Sequence, residues 1–434
     1  MAHIAMVVPV WIGHLNPMTT LGRELQRRGH DVSVLSFPAA AERVHRAGLN
    51  HETIGETTFP PGEWERRTLE LSRLRGLRAA RYTIHWIAGI THVMLSELAE
   101  TVSRQRFDGI VADQVCFGAE CAAETAGVPL VIACNALPVH FQPDIPVHTQ
   151  TWPWKTDRFS QYRNRLVQQL LLFVARSVFR PIQQDLAAKG RTWNQRHHLN
   201  EIPPSLAHVA QLPACLDFPR RHAPDHFHHT GPWHEAGTAN EAGFEWDWLD
   251  GRPLVYASLG TLQNGLDHLY QLILDACADL PLQVVLTLGR ENGARPQRIP
   301  ANARVLGYGP QVALLKRASM VITHGGMNTV LEALAQGLPL VALPIANDQP
   351  GIAARIRHTG VGDWVPLRRL SPALLRATVQ RIRTDPVYQL KARECAKQLG
   401  GNDGAQVAAM VIEEAFLKRQ RVIRSNAVRG LAAC

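Results

Sequence analysis

Three stretches of the 434-residue chain carry polar groups at spacings suited to a charged, hydroxylated ligand. The longest is "ITHGGMNTVLEALAQGLPLVALPIANDQPG", Ile322 to Gly351. His324 closes an apolar run, Gly325 and Gly326 permit close backbone approach, and Asn328 and Thr329 open a helical pattern. The first amides of a helix lack partners and sit at the positive end of its dipole, so a phosphate or diphosphate is their natural ligand. His324 adds a donor there. Thr329 and Glu332 equally match a capping box, which needs no ligand, and Glu332 could instead accept hydrogen bonds from a ribose. Asp348 and Gln349, after the second apolar run, suit the hydroxyls of a sugar, although a turn-forming Asp gives the same pattern. In "ASLGTLQ", Ser258, Gly260 and Thr261 form a small-residue loop able to face phosphate from the opposite side.

The third stretch is "WIGHLNP". An imidazole at the edge of a first strand, with an ordinary pKa near 6.5, suits general-base work, and His14 has that place. Asp113, closing "DGIVAD", would stand at the same edge, orient the ring and stabilise the imidazolium, as the aspartate of a Ser-His-Asp site does. The chain has 20 histidines, so position and partner single out His14, not residue type.

Short apolar runs alternating with helical periodicity must position these groups. "HIAMVVPV" leads into a helix expected to start at Asn16 as N-cap, with Pro17 in its first turn, and to end at Gly29; "DVSVLS", "DGIVAD" and "PLVIAC" follow as strands. A second series begins near Arg252 with "RPLVYASLG", "LQVVLTLG", "ARVLGYG", "SMVITHG" and "LPLVALP". This implies an α/β protein with two parallel sheets and a ligand cleft at their carboxyl edges. The expected division is an N-terminal domain over 1–225, a linker over 226–250, a C-terminal domain over 251–400, and a helix and tail over 401–434. The linker is read from the aperiodic "FPRRHAPDHFHHTGPWHEAGTANEAG", whose His222, His226, His228 and His229 are taken as solvated because no pair has metal-ligand spacing.

With 46% hydrophobic and 19% charged residues, the composition is that of a soluble globular protein. The net charge of +9 is spread along the chain, which implies attraction to anions and argues against a nucleic-acid partner. Seven cysteines without a C-x-x-C pair or zinc spacing predict neither a disulfide framework nor a metal site, and a cytoplasmic, reducing setting. The N-terminus reads as a strand and not a signal peptide, and no uninterrupted apolar run reaches the roughly 18 residues of a membrane span. Absence of G-x-G-x-x-G after the first strand disfavours a dinucleotide oxidoreductase, and absence of G-K-[ST] disfavours a nucleotide hydrolase. Without a D-x-D triplet, the helix terminus and His324 would neutralise a leaving diphosphate themselves.

The block from Gly307 to Gln349, with "SLGT", the "GH" of "WIGHLNP", "FHHTGP" and "QLPACLDFPR", resembles the UDP-glycosyltransferase superfamily over nearly the whole chain. The likeness extends to its carotenoid glucosyltransferases. It implies two Rossmann-like domains facing across a cleft, the GT-B architecture, with acceptor bound by the first and donor by the second. It further implies inverting, metal-independent transfer of a hexose, glucose, from UDP-glucose to a hydroxyl of a hydrophobic acceptor such as the carotenoid zeaxanthin, without a further cofactor. By that resemblance His14 is the base and Asp113 its orienting partner. Tyr308 and Gln311 fall on the uracil, His324, Gly326, Asn328 and Thr329 on the diphosphate, Glu332 on the ribose, and Asp348 and Gln349 on the sugar. Tyr308 stands where plant members carry Trp; either ring can stack on a base. Alternatives are a polyketide, macrolide or other secondary-metabolite acceptor, a nucleotide-sugar epimerase, and a non-catalytic homologue. The basic, apolar segment 157–182 is either an interfacial helix in peripheral contact with the inner face of a membrane or a helix flanking the acceptor pocket with its apolar face in the core.

Overall fold

The computed structural model describes the chain except residues 75, 192–204, 234–243, 261–266, 290–294, 401–402 and 425–434. The first lobe contains β1 (His3–Val7), α1 (Ile12–Arg27), β2 (Asp31–Ser36), α2 (Ala41–Arg46), β3 (Asn50–Thr53), α3 (Glu63–Arg73) and α4 (Gly76–Ser96). It continues through α5 (Leu98–Gln105), β4 (Gly109–Asp113), α6 (Ala119–Ala126), β5 (Leu130–Cys134), α7 (Arg158–Val174), α8 (Arg176–Ala188), β6 (Ser205–Ala210) and β7 (Phe227–His229). The second lobe begins with β8 (Leu254–Ser258), α9 (Asp267–Cys277), β9 (Gln283–Thr287), β10 (Ala303–Leu306), α10 (Gln311–Arg317) and β11 (Ala318–Thr323). Then come α11 (Met327–Ala335), β12 (Leu340–Ala342), α12 (Gln349–Thr359), β13 (Gly362–Trp364), α13 (Pro372–Thr384), α14 (Pro386–Leu399) and α15 (Gly404–Lys418).

Both sheets are parallel, ordered β3-β2-β1-β4-β5-β6-β7 and β10-β9-β8-β11-β12-β13. Helices cover both faces, so the central strands read as unbroken apolar runs: Ile4, Ala5, Met6 and Val7 of β1 are all fully buried. Strand order reverses between β1 and β4 and again between β8 and β11. These are the two points where an open α/β sheet forms a crevice for ligands.

Several expectations are corrected. Helix α1 starts at Ile12, not after Asn16, and Pro17 lies within it. His14 is therefore in its first turn, its amide bonded to the Trp11 carbonyl at 2.8 Å. The expected linker begins too early, because Phe227–His229 pair with β6 as the edge strand of the first sheet. Three residues flanked by Pro and Gly are too few to show periodicity. Of its histidines only His222 is exposed as expected: His226 is buried, His228 Nε2 lies 2.8 Å from the Val422 carbonyl and His229 Nδ1 2.9 Å from that of Leu212. Cys215 and Cys395 form a disulfide, against the expectation of none; they are 180 residues apart in sequence and meet only through the fold. The apolar face of α7 is not in the core. Its buried positions are Ser160, Asn164, Gln168 and Leu172, whereas α8 buries Val178, Phe179, Ile182 and Leu186.

The lobes share more than a boundary. Leu137, Leu212 and Leu216 from the first half pack into a core cluster of the second. Conversely α15 returns to the first lobe, where Ala405, Ala408, Ala409, Ile412 and Ala415 join the cluster of β1, β2 and α1. That helix begins in contact with the end of β7: a Cβ added to Gly404 would lie within 2.4 Å of the Gly231 backbone. Among the described residues, no helix is long and apolar enough to cross a membrane.

Candidate active site

A cavity of about 1560 Å³ lies between the lobes and is lined from both. His14 of α1 and Asp113 at the end of β4 meet at the first crevice, with His14 Nδ1 2.7 Å from Asp113 Oδ2. Asp113 is 1% exposed, and its oxygens also accept from Asn135 Nδ2 at 2.7 Å and the Val115 amide at 3.0 Å. Three donors fix the carboxylate, so it holds the proton of a neutral ring on Nδ1 and leaves Nε2 as the basic nitrogen. Burial would depress the His14 pKa, but the charge of Asp113, its hydrogen bond and the Asp348 charge outweigh it and raise the pKa above 6.5. A raised pKa makes a stronger base that is protonated over a wider acid range.

The second crevice holds Ser258 at the end of β8, Gly260 just beyond it and His324 after β11, all lining the cavity. The His324 ring is wedged between two glycines: a Cβ on Gly260 would come within 2.7 Å of it, and one on Gly326 within 2.5 Å. Gly260 and Gly325 also adopt φ of +76° and +86°, in the left-handed region that glycine tolerates. Burial lowers the His324 pKa to about 4 against the opposing effects of Asp348 and the Ser258 backbone. The ring is neutral near pH 7 and offers one uncharged donor.

Helix α11 begins at Met327 with Gly326 as N-cap and no side-chain cap; its first bond runs from the Val330 amide to the Gly326 carbonyl at 3.1 Å. Thr329 is therefore inside the helix, and the capping box does not form. Glu332 accepts from Gln311 Nε2 at 2.6 Å, and Gln311 Oε1 accepts from Tyr256 Oη at 2.8 Å. Burial raises the Glu332 pKa, opposed by the Gln311 amide. Tyr308, 57% exposed, stands at the rim of the same cavity.

Asn328 spans the lobes. Its Nδ2 donates to the Gly13 carbonyl at 3.3 Å and its Oδ1 accepts from Gln211 Nε2 at 3.0 Å. The Gly13 carbonyl is free for this because the helical partner four residues on is Pro17, which has no N–H. Asp348 Oδ2 accepts from the Leu137 amide at 3.0 Å. Gln349 Oε1 accepts from the Ile345 and Ala346 amides at 2.8 and 2.9 Å, which leaves its NH₂ group as the donating end. Thr261 lies outside the described residues, and Asp113 is buried behind His14; all the other sequence-selected residues line this one cavity.

Sequence reasoning missed Asn135, Gln211 and Tyr256, which hold Asp113, Asn328 and Gln311. Asn135 and Gln211 directly follow the ends of β5 and β6, the signal that could have found them, whereas Tyr256 lies in the middle of β8, where nothing marks it. It also missed the apolar part of the cavity, walled by Ile84, Ile87, Phe117, Val139, Phe141 and Phe179 from helices and loops of the first lobe. Cys134, His140 and the distant His208 place donor atoms within 4.8 Å of one another in the core. His140 Nε2 and His208 Nδ1 are already 2.8 Å apart, and burial keeps both rings neutral, His140 with its pKa near 3.

The sequence profile described as "UDP-glucoronosyl and UDP-glucosyl transferase" matches residues 4–396. Over 429 residues the chain is 29% identical to the zeaxanthin glucosyltransferase of Pantoea ananas, covering 98% of this chain and 99% of that one. It is 26% identical over 422 residues to the 4'-demethylrebeccamycin synthase of Lentzea aerocolonigenes, covering 92% and 96% of the two chains. The crystal structure of the glycosyltransferase VinC in complex with dTDP superposes with a TM-score of 0.66 at 21% identity, covering 96% of this chain and all of that one.

Proposed function

The chain belongs to the UDP-glucuronosyl and UDP-glucosyl transferase family, and from that premise we propose that it transfers glucose from UDP-glucose to a hydroxyl of a hydrophobic acceptor, a carotenoid such as zeaxanthin. One observation carries the reading. The Asn328–Gly13 hydrogen bond joins the first turn of α11 to the first turn of α1, so the free amides and the His14–Asp113 pair face one space.

The acceptor hydroxyl gives its proton to His14 Nε2 as its oxygen attacks the anomeric carbon; Asp113 stabilises the imidazolium that results. The bond to the nucleoside diphosphate breaks on the opposite side, which inverts the anomeric centre. The departing charge falls on the α11 amides and the His324 donor without recruiting a metal. Glu332 accepts from the ribose, Tyr308 stacks on the base next to Gln311, and Asp348 with the Gln349 NH₂ group reads the sugar hydroxyls. The apolar wall supplies affinity for an acceptor of low polarity. Its breadth also suits a bulky aromatic or polyketide acceptor, which keeps that class as the second reading.

Incubation with UDP-glucose or dTDP-glucose, alone and with zeaxanthin or a polyketide aglycone, followed by mass analysis, tests the proposal. Glycosylated zeaxanthin formed from UDP-glucose is the expected product; sugar conversion without acceptor would mark an epimerase, and no product from either donor would overturn the reading. His14→Ala should lower kcat by about 10²–10⁴-fold while donor Kd, read by calorimetry, stays within about twofold. Unchanged turnover would remove His14 from the reaction.

A further inference from the structure

Helix α7 turns its polar side inward. Asn164 Nδ2 donates to the Pro143 carbonyl at 3.0 Å, Gln168 Nε2 to those of Gln142 and Ile145 at 2.8 and 3.3 Å, and Asp157 caps the helix through the Ser160 amide at 2.9 Å. This seam seats the helix with Leu172 as the one large apolar side chain it fully buries. Phe159, Tyr162, Leu166, Leu170 and Phe173 are left 73%, 67%, 57%, 58% and 62% exposed. At 3.6 residues per turn these five positions fall within about 80° of arc, so they form one continuous outward stripe. An apolar stripe of that length on a surface marks an interaction site.

The surrounding charge selects the partner. Arg158 and Arg165 are exposed along one edge of the stripe, Arg176 and Arg180 carry the cationic edge onto α8, and α7 contains no Asp or Glu. A second copy packed on this face about a twofold axis would bring like charges together. An anionic lipid surface matches it, taking the stripe into the boundary between headgroups and acyl chains while the arginines meet phosphates. The helix also adjoins the acceptor part of the cavity, since Leu171 and Leu172 of α7 and the adjoining Ala175 line it.

We propose that α7 docks the protein on an anionic bilayer surface, with Phe159, Tyr162, Leu166, Leu170 and Phe173 as its immersed face. Docking there sets the cavity against the membrane, so a lipid-dissolved acceptor reaches it without crossing bulk water; this second part rests on the transfer reading above.

Flotation of the full chain with vesicles tests docking without any turnover, which separates its failure from that of the proposed reaction. The protein should float with phosphatidylcholine vesicles containing about 30 mol% phosphatidylglycerol and partition at least about tenfold less onto pure phosphatidylcholine. The double variant Leu166→Glu with Leu170→Glu should stay in the soluble fraction with an unchanged melting temperature. Arg158→Gln and Arg165→Gln should each weaken binding to the anionic vesicles by about fivefold. Wild-type protein absent from floated anionic vesicles overturns the proposal, as does equal flotation of the glutamate variant. A dimer in ultracentrifugation that the glutamate pair dissociates would assign the stripe to self-association and likewise overturn it.

Discussion

His14 has two opposing influences on it, and their balance makes a measurable claim. Burial alone would favour the neutral ring; Asp113 reverses that, and the raised pKa places the acid limb of the kcat/KM profile above 6.5. Activity should rise as pH rises through that value, because only the neutral ring accepts a proton. Asp113→Asn removes the two nearest raising influences, so the limb should move to lower pH while kcat falls by about 100-fold or more from loss of the imidazolium partner. A profile unmoved by that substitution would separate Asp113 from the base. Residues of this kind were legible in the sequence because each closes an apolar run, where a parallel strand delivers its side chain to the ligand edge. Their mutual contacts were not. Nothing in the spacing of Gln311 and Glu332, or of Asn328 and Gly13, announces a hydrogen bond, since each depends on how separate helices are brought together.

Strands with fully buried flanks wrote themselves into the sequence as apolar runs, and the five strands of the second series named from them are all present. Of the four edge strands, all only three or four residues long, β10 was legible as "ARVLGYG" whereas β3, β7 and β13 left no such trace. Helix α7 misled for a different reason. Periodicity shows that a helix has an apolar face but not which side of it meets the protein, and here carbonyls of the 142–145 loop claim the polar one. The seam therefore contributes through satisfied hydrogen bonds. Gln168→Leu removes the donor shared by two buried carbonyls and should destabilise the protein by about 1–3 kcal/mol, measured by urea unfolding, although it adds apolar surface. A stabilised variant would show that packing, and not the seam, holds α7.

At the scale of the molecule, a buried ion cluster ties the two lobes. Arg355 of α12 donates to Asp217 at 2.8 Å, Arg220 bonds the other carboxylate oxygen, and His229 lies 3.7 Å away. Burial would raise the Asp217 pKa, but the Arg220 and Arg355 charges hold it well below the usual carboxylate range. Removing one partner of a buried pair leaves the other charge uncompensated. Asp217→Ala should cost about 3–5 kcal/mol and resolve a single calorimetric transition into two as the lobes uncouple. Retention of one transition at the wild-type temperature would show that the shared apolar packing suffices. Sequence composition could announce two cores but not this tie, because Asp217 and Arg355 are 138 positions apart. The return of α15 to the first lobe has a further consequence. The chain passes between lobes twice, after β7 and before α15, and the two passages touch where Gly231 meets Gly404. That contact leaves no room for a Cβ on Gly404, so side-chain bulk introduced there would act as a wedge, forcing the two passages apart without touching anything the cavity holds.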